Sequence, residues 1–448
     1  MSSGSINPLL LVRRVVVLTA VALVMFVGVR LSFVQGITRR VTIDGPSMAP
    51  QLCGARFELT CEDCRFRFSC DAENLPTDNL AACPNCGFTE NPLDAAQLVG
   101  AERVLIDRWP LIWSAPKRGA VVALAVPGSD ELAVKRIAGL PGERLAIRGG
   151  DLFADDRMIR KTWGEIQELR QLVHDEAYQP LRSPDLPARW RSAVEPTRWR
   201  ATATGFLAAP TGDAENIDWL QYVNWKCTAD ARSRGITSPI ADNDSYNQGE
   251  THRPLNAVTD VLLSCRVRVT GRGHILLAAS AGNQRFELSI EPAKRVVLCE
   301  GDRVLESQRL RADLSQHLAQ LDFGLCDRQI FLALDGRTIV RHDYEPAADA
   351  DTEPTHALAI GVVGAGCEVV EPRIWRDIYY LDPGSLSRRW ELPARLGPDE
   401  FAVLGDNQPV SIDSRHWQPP AVARSGILGH VYRPFWIAGV KGNFSARE

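Results

Sequence analysis

The sequence lacks what several function classes require. It has no basic surplus: 51 Lys and Arg stand against 55 Asp and Glu, for a net charge of −4. A nucleic-acid partner is therefore not expected, because it would need a positive footprint. The eight histidines are scattered, and no His-x-x-x-His pair occurs, which excludes the helix of a metallopeptidase. There is no internal repeat and no low-complexity tract. No small-x-small site follows the one long apolar run; Val34-Gln35-Gly36 is a poor substitute. A cleavable leader is therefore the weaker reading of that run.

The run itself is Val15–Val29, "VVVLTAVALVMFVGV", with Arg13 and Arg14 before it and Arg30 and Leu31–Val34 after it. A helix over that run alone would rise only about 22 Å, short of the roughly 30 Å of hydrocarbon. Adding Leu31–Val34, with Arg30 snorkelling to the interface, gives a fit. The expectation is a single-pass, uncleaved anchor over residues 13–36 in a lipid bilayer. Residues 1–12 are expected inside a cytoplasmic (inner) membrane and the remainder outside it. Charge does not set this orientation, since Arg13 and Arg14 oppose Arg30, Arg39 and Arg40.

The chain has 448 residues, 45% apolar and 24% charged, which suits two or three folded domains. Residues 37–162 read as a strand-rich first part, interrupted over 53–92 by six cysteines. The runs "RVLIDR", "GAVVALAV" and "ELAVKRIAGL" are short, apolar and bounded by Pro and Gly. "RLAIRGGDLFADDRMIRK" reads as a three-stranded meander turning at Gly149-Gly150 and Asp155-Asp156. Trp163, Ile166, Leu169, Leu172 and Val173 predict one helical face over Trp163–His174. From about 195 to 375, seven or more evenly spaced strands predict a β-sandwich inserted as part of 163–375. Residues 376–448 supply a final apolar set. The fold class expected is mainly β.

Ser47 lies in "IDGPSMAPQL". A Gly-Pro-Ser turn is common for conformational reasons alone; the alternative is a turn that presents one hydroxyl. A serine nucleophile needs a base, and no histidine lies near a strand that could pair with this turn. Lys135 is the candidate, since burial lowers a lysine's pKa toward neutrality. In "ELAVKRIAGLPGE" alternation places Ala133, Lys135 and Ile137 on one face and Leu132 and Val134 on the other. The competing reading is a snorkelling lysine whose stem covers a core.

With both residues in view, three blocks in order resemble the type I signal peptidases, the serine–lysine peptidases that remove signal peptides. "GPSMAPQL" resembles their Ser-Met-x-Pro box, "VKRIAGLPGE" their Lys-Arg-x-x-Gly-x-Pro-Gly-Asp box, and "LGDNQPVSIDSRHW" their Gly-Asp-Asn-Arg…Ser-x-Asp-Ser-Arg box. The resemblance covers about half the chain. It implies an antiparallel β catalytic domain, with Ser47 as nucleophile and Lys135 as general base. It carries over Arg136 from the second box, and Gly405, Asp406, Asn407, Ser411, Asp413, Ser414 and Arg415 from the third. Ser411 would aim the Lys135 amine, and Asp413 and Arg415 would pair. The Ser47 backbone N–H would bind the oxyanion. Thr42, Ile43, Asp44 and Gly45, with Leu132, Ala133 and Val134, would bind the substrate as an added strand. The implied substrates are secretory preproteins with Ala-x-Ala-like sites, and catalysis needs no cofactor. Three positions depart from the pattern: Glu143 for Asp, Gln408 for Arg, and Gly45 where some members carry a serine that donates to the oxyanion.

Cys61-x-x-Cys64 and Cys83-x-x-Cys86 have the spacing of a four-cysteine zinc ribbon, expected to hold a structural zinc. A disulfide set is the alternative, and Cys53 and Cys70 blur the pattern. The other five cysteines form an odd set that argues against a complete disulfide framework. In "DRWPLIWSAP", Trp109, Leu111, Ile112 and Trp113 form either a core loop or a wedge at the membrane interface. The sandwich resembles the jelly-roll modules of lectin-like proteins, a likeness that does not give a function. "WLQYVNW" and "DNDSYN" in the insert read as a binding face or as a polar seam against the catalytic part. Two other functions remain open at this point: a catalytically silent, membrane-anchored binding protein, and a Ser–Lys peptidase with a narrow or self-directed substrate.

Overall fold

The computed structural model describes residues 8–30, 36, 38–211, 216–249, 253–346, 357–384 and 389–433. A helix, Pro8–Val29, leads the chain. Its Val12–Val29 stretch has a mean hydropathy of 2.2 and is not buried against the rest of the protein. The helix starts earlier than the sequence suggested. Pro8 has a φ preset for the first helical turn, and the leucines after it are good helix formers. Twenty-two residues rise about 33 Å, enough to cross the hydrocarbon. The Leu31–Val34 continuation lies outside the described residues.

One antiparallel sheet of seven strands holds the two halves of the expected catalytic part together. Its order is Thr38–Thr42, Arg103–Asp107, Ile427–Tyr432, Val121–Ala125, Leu132–Gly139, Glu400–Leu404 and Val422–Ala423. The C-terminal strand Ile427–Tyr432 thus lies between two strands that precede the insert. Neither half completes this sheet alone. The meander forms as expected, as strands Leu145–Arg148, Asp151–Ala154 and Arg157–Met158. Gly149, Gly150, Asp155 and Asp156 all have positive φ, which a tight hairpin turn requires.

The helical reading of Trp163–His174 needs correction. The helix is Trp163–Leu169, opened by a capping box between Thr162 and Glu165. Gln171–Asp175 is a strand paired with Gly366–Arg376. In the helix Ile166 and Leu169 point inward; beyond it, ladder bonds to a long neighbouring strand outweigh the local helical spacing.

The insert is a sandwich of two antiparallel sheets. One runs from Trp199–Thr202 to Arg337–Asp343 and the other from Trp190–Ser192 to Arg303–Arg309. Their inner faces share one large core in which Phe286, Phe323, Leu321 and Ile360 are fully buried. The sandwich therefore begins before residue 195, where its strands were expected to start, and within the expected insert 163–375. Five of the cysteines sit in it without forming a disulfide.

The segment Trp109–Trp113 is a short helix. Trp109, Ile112 and Trp113 are 53%, 59% and 74% exposed, which rules out the core-loop reading for them. Only Leu111 packs against a core.

Candidate active site

The Ser47 turn is held by the loop that follows strand Glu400–Leu404. The Asn407 backbone N–H donates to the Ser47 carbonyl at 3.1 Å, and the Asn407 side-chain amide donates to the Pro46 carbonyl at 3.0 Å. Gly405 lies against both partners. A Cβ there would come within 2.2 Å of Ser411 Oγ and 2.4 Å of the Ser47 carbonyl oxygen, so only glycine fits. Gly405 thus lies against both the Ser411 hydroxyl and the Ser47 backbone carbonyl. Ser47 itself is half-buried, and its backbone N–H donates to no acceptor among the described residues. That leaves the N–H available to an incoming oxyanion. Open space surrounds the position of a Cβ at Gly45.

Lys135 stands on the neighbouring strand, within electrostatic reach of Asp413, Arg415 and Asp406. Leu404 pairs with Arg136, so continuing this ladder by one residue sets Gly405 beside Lys135. Lys135 is 3% exposed. Its amine has no hydrogen-bond or ion-pair partner among the described residues. Burial lowers its pKa from 10.5 to about 8, against the attraction of Asp413 and Asp406 and with the repulsion of Arg415.

The third-box residues lock one another in place. Arg415 holds Asp413 by two contacts of 2.8 Å, with both side chains fully enclosed. Burial would raise the Asp413 pKa, but the Arg415 hydrogen bond and charge, with the Gly405 N–H and Ser411, bring it below the usual value. The Ser411 hydroxyl donates to Asp413 Oδ2 at 2.7 Å. Its remaining lone pairs are what it can offer an amine. Arg136 grips Asp406 through Nε and Nη2 at 2.8 and 2.7 Å, which fixes the strand that carries Lys135. Ser414 Oγ accepts the Val403 N–H at 2.8 Å.

The departures from the family pattern find substitutes. Gln408 Oε1 accepts from Arg415 at 2.9 Å, and Gln408 also bonds the Gly405 carbonyl, so a neutral bridge stands where an ion pair would have been. Glu143 accepts the Leu140 N–H at 2.7 Å and pairs with Arg118. Gly142, in the turn between them, has φ +81°.

Two stretches of free strand edge lie near the site. Leu132–Val134 is paired on one side with Leu124 and its neighbours. On the other side strand Glu400–Leu404 reaches only as far as Arg136. Thr42 ends the edge strand of the sheet, and Ile43, Asp44 and Gly45 continue from it. Free edges of this kind can take an added strand.

Asn247 was read in the sequence only as part of a segment that could be a binding face or a seam. It exchanges amide hydrogen bonds with Asn407 at 2.6 and 2.8 Å. It belongs to "DNDSYN", so this segment is a polar seam. Tyr246 next to it accepts from the Asp71 N–H through its carbonyl, and Gln248 exchanges bonds with Ala82. The cluster of Asn residues was the visible signal; its partner 160 residues away was not.

Cys61, Cys64, Cys83 and Cys86 converge, with all four Sγ atoms within 4.8 Å of one another. The Cys61–Cys86 and Cys64–Cys83 Sγ separations are 3.6 and 3.7 Å, too long for disulfides. They are close to the edge of roughly 3.8 Å implied by four tetrahedral Zn–S bonds. Two matching turns present the pairs: the Arg65 N–H donates to the Cys61 carbonyl and the Gly87 N–H to the Cys83 carbonyl. The set is compatible with a structural zinc. A second group, Asp260, Cys326, Asp327 and Asp377, surrounds the Lys161 ammonium, which pairs with Asp327 and Asp377. It joins the meander to the sandwich.

No curated protein matches the chain. Among solved structures, the carbohydrate binding module CBM66 from Bacillus subtilis is 10% identical. It covers 42% of this chain and 95% of its own, at a TM-score of 0.27. A double variant of human galectin-16 is 9% identical and covers 26% of this chain and 87% of its own, at a TM-score of 0.20. These likenesses are too distant to carry an argument. Residues 12–189, which hold the apolar helix, Ser47 and Lys135 but not the Gly405–Arg415 loop, match the family described as signal peptidase, peptidase S26.

Proposed function

We propose that the chain is a membrane-bound type I signal peptidase that cleaves secretory preproteins through Ser47 and Lys135. The observation that carries this reading is the lysine itself. It is a buried amine without an ion-pair partner, shifted to about 8, and its strand runs beside Gly405, which lies against the Ser411 hydroxyl and the Ser47 carbonyl. A structural lysine gains nothing from such a place, because desolvation opposes its charge.

Neutral Lys135 takes the Ser47 proton as Oγ bonds to the scissile carbonyl carbon. The Ser47 N–H receives the oxyanion. The ammonium then protonates the leaving amine as the C–N bond breaks, and Lys135 next activates a water that hydrolyses the acyl-enzyme. Thr42–Gly45 and Leu132–Val134 flank the substrate as neighbouring strands, and shallow pockets between them favour Ala-x-Ala-like sites. The helix Pro8–Val29 anchors the chain in the cytoplasmic membrane, with the catalytic part on the outer side. Trp109, Ile112 and Trp113 rest at the headgroup level, where tryptophan is favoured. The cysteine cluster is a zinc ribbon that acts structurally, since four thiolates leave no open position.

The test is single-turnover cleavage of a preprotein by Ser47→Ala, Lys135→Arg and Ser411→Ala, with thermal melts as the folding control. Arginine keeps the charge but cannot give up its proton near neutrality. Lys135→Arg should therefore be as inactive as Ser47→Ala, with Ser411→Ala between them and wild type. Cleavage by Lys135→Arg at near the wild-type rate would refute the dyad.

A further inference from the structure

The chain enters and leaves the insert at one place. Lys161 precedes the helix cap Thr162, and Asp377 follows the long strand Gly366–Arg376. There the Lys161 ammonium pairs with Asp327 and Asp377, and the Lys161 backbone N–H donates to Asp327 Oδ2 at 2.6 Å. Asp327 sits in the hairpin turn between the sandwich strands Ala319–Cys326 and Gln329–Leu334. Its own N–H donates to Asp260 Oδ2 at 2.7 Å, and the Asp377 N–H donates to the Asp260 carbonyl at 2.9 Å. Asp151 of the meander stands within electrostatic reach of Asp260, Lys161, Asp327 and Asp377. The meander, both crossings and two segments of the sandwich thus meet on one cluster.

The cluster carries more carboxylates than its ammonium pairs. Asp151 and Asp260 make no ion pair among the described residues. Asp327, Asp377 and Cys326 are buried, and Asp377 Oδ1 is enclosed without a hydrogen-bond partner. Cys326, Tyr344 and Tyr380 face the acids as groups that burial keeps neutral. The cations around the cluster are engaged elsewhere. Arg328 pairs with Glu345 and Arg160 with Asp343, and Arg341 donates to the Lys161 carbonyl and to Gln329. Arg376 lies in the field of Asp377, but Asp244 and Asp242 weigh on it more. Ionising all four acids here is opposed by desolvation and by their mutual repulsion. Protons relieve both. A metal ion is the less suitable relief, because the Lys161 ammonium already bonds two of the acids and would repel it.

We propose that this cluster is a proton-operated latch between the catalytic part and the sandwich, closed in acid and loosened toward neutral pH. Burial, with the charges of Asp327 and Asp377, raises Asp260 from 3.8 to about 7. Burial raises Asp151 and Asp377 as well, while Lys161 is held above 10.5 and stays charged throughout. Opening the junction to water returns Asp260 to its ordinary value. Between the two values the closed junction binds more protons than the open one. Closure is therefore favoured in acid, and opening grows as the pH rises through this window. The part owed to Asp260 levels off above about pH 7. Asp260 is half-buried, so it exchanges protons with water while the protein stays folded. The latch does not rest on the peptidase reading.

Full-length protein in detergent is followed by hydrogen–deuterium exchange mass spectrometry from about pH 5 to 8, with rates corrected for the intrinsic pH dependence of exchange. The peptides read are those that cover Lys161, Asp327 and Asp377. Asp260→Asn removes the charge and keeps an oxygen for the Asp327 N–H. Wild type and this variant should protect the junction equally at about pH 5, where the acid is neutral. At about pH 7 and above, the variant should be protected about tenfold better, within the ceiling of about tenfold per pH unit that one proton sets. Asp151→Asn should diverge from wild type in the same direction. Peptides of the distant strand Arg303–Arg309 should show no divergence. Ser47→Ala should follow wild type, so a failure of the latch is distinguishable from a failure of the peptidase reading. A ratio to wild type that stays constant across this range in both Asn variants would overturn the proposal. So would lost protection in Asp260→Asn at about pH 5, because the carboxyl would then serve the fold without titrating.

Discussion

Lys135 combines two effects of burial that can be measured separately. Its pKa in the folded chain is about 8 and its ordinary value is 10.5. In the unfolded chain the amine stays protonated up to the higher value; in the folded chain it releases its proton at the lower one. Between pH 8 and 10.5 the unfolded state therefore binds more protons, and stability rises with pH. Below pH 8 the folded protein carries the full cost of a buried charge, about 3 kcal/mol. Lys135→Met keeps the stem and removes the charge. It should melt at a higher temperature than wild type at pH 7, and the difference should vanish near pH 10.5. A difference that does not change over that range would mean the amine is not desolvated. In wild type, kcat/KM should rise with pH and reach half its plateau near pH 8, as the base becomes neutral. Two opposite consequences of one residue, greater stability without it and no catalysis, are the pattern expected where folding stability has been given up for chemistry.

At the scale of elements, the cysteine pairs were legible because each turn is local. The four residues Cys61–Cys64, and again Cys83–Cys86, set both thiols of a pair, so sequence spacing is nearly geometry. Cys83→Ser with Cys86→Ser should abolish the one zinc per chain expected from metal analysis and lower the melting temperature. Residual peptide cleavage by the protein that remains folded should persist, because structural zinc contributes folding free energy and no reacting group. Metal-free protein with the wild-type melting temperature would contradict this. The meander and its turns were legible for the same local reason: Gly149-Gly150 and Asp155-Asp156 need nothing distant to turn. Gln171–Asp175 was not, since its spacing continues the helical face of Trp163–Leu169. Only the strand Gly366–Arg376, nearly two hundred residues on, makes it β. The boxes made Ser47 and Lys135 candidates, whereas Gln408 as a neutral bridge depends on contacts with Leu381 and Arg415 that no spacing reveals.

At the scale of the whole molecule, the insert is more than an appendage. The seven-stranded sheet is assembled from strands on both sides of it, and one of the insert's loops reaches the loop that holds the Ser47 turn. Asn247 holds Asn407, and Asn407 holds Pro46 and Ser47. Excising about residues 195–375 with a short linker would remove this loop along with the sandwich. Such a protein, even if folded, should retain little cleavage. The point variant Asn247→Ala isolates the contact. It leaves the buried Asn407 amide short of a partner, which costs about 1–3 kcal/mol. Part of that loss should be local loosening of the Ser47 turn, so kcat on a short soluble peptide should fall about tenfold while KM changes little. Asn247 makes no hydrogen bond to Thr42–Gly45 or Leu132–Val134 among the described residues, and a change in KM alone would instead place the loop at the substrate edge. Asn247→Gln retains the amide on a longer stem and should recover part of the rate if the hydrogen bond, rather than the packing, positions Ser47. Equal activity of wild type and Asn247→Ala would show that Asn407 holds the turn unaided, and that the seam joins the two parts without tuning the chemistry.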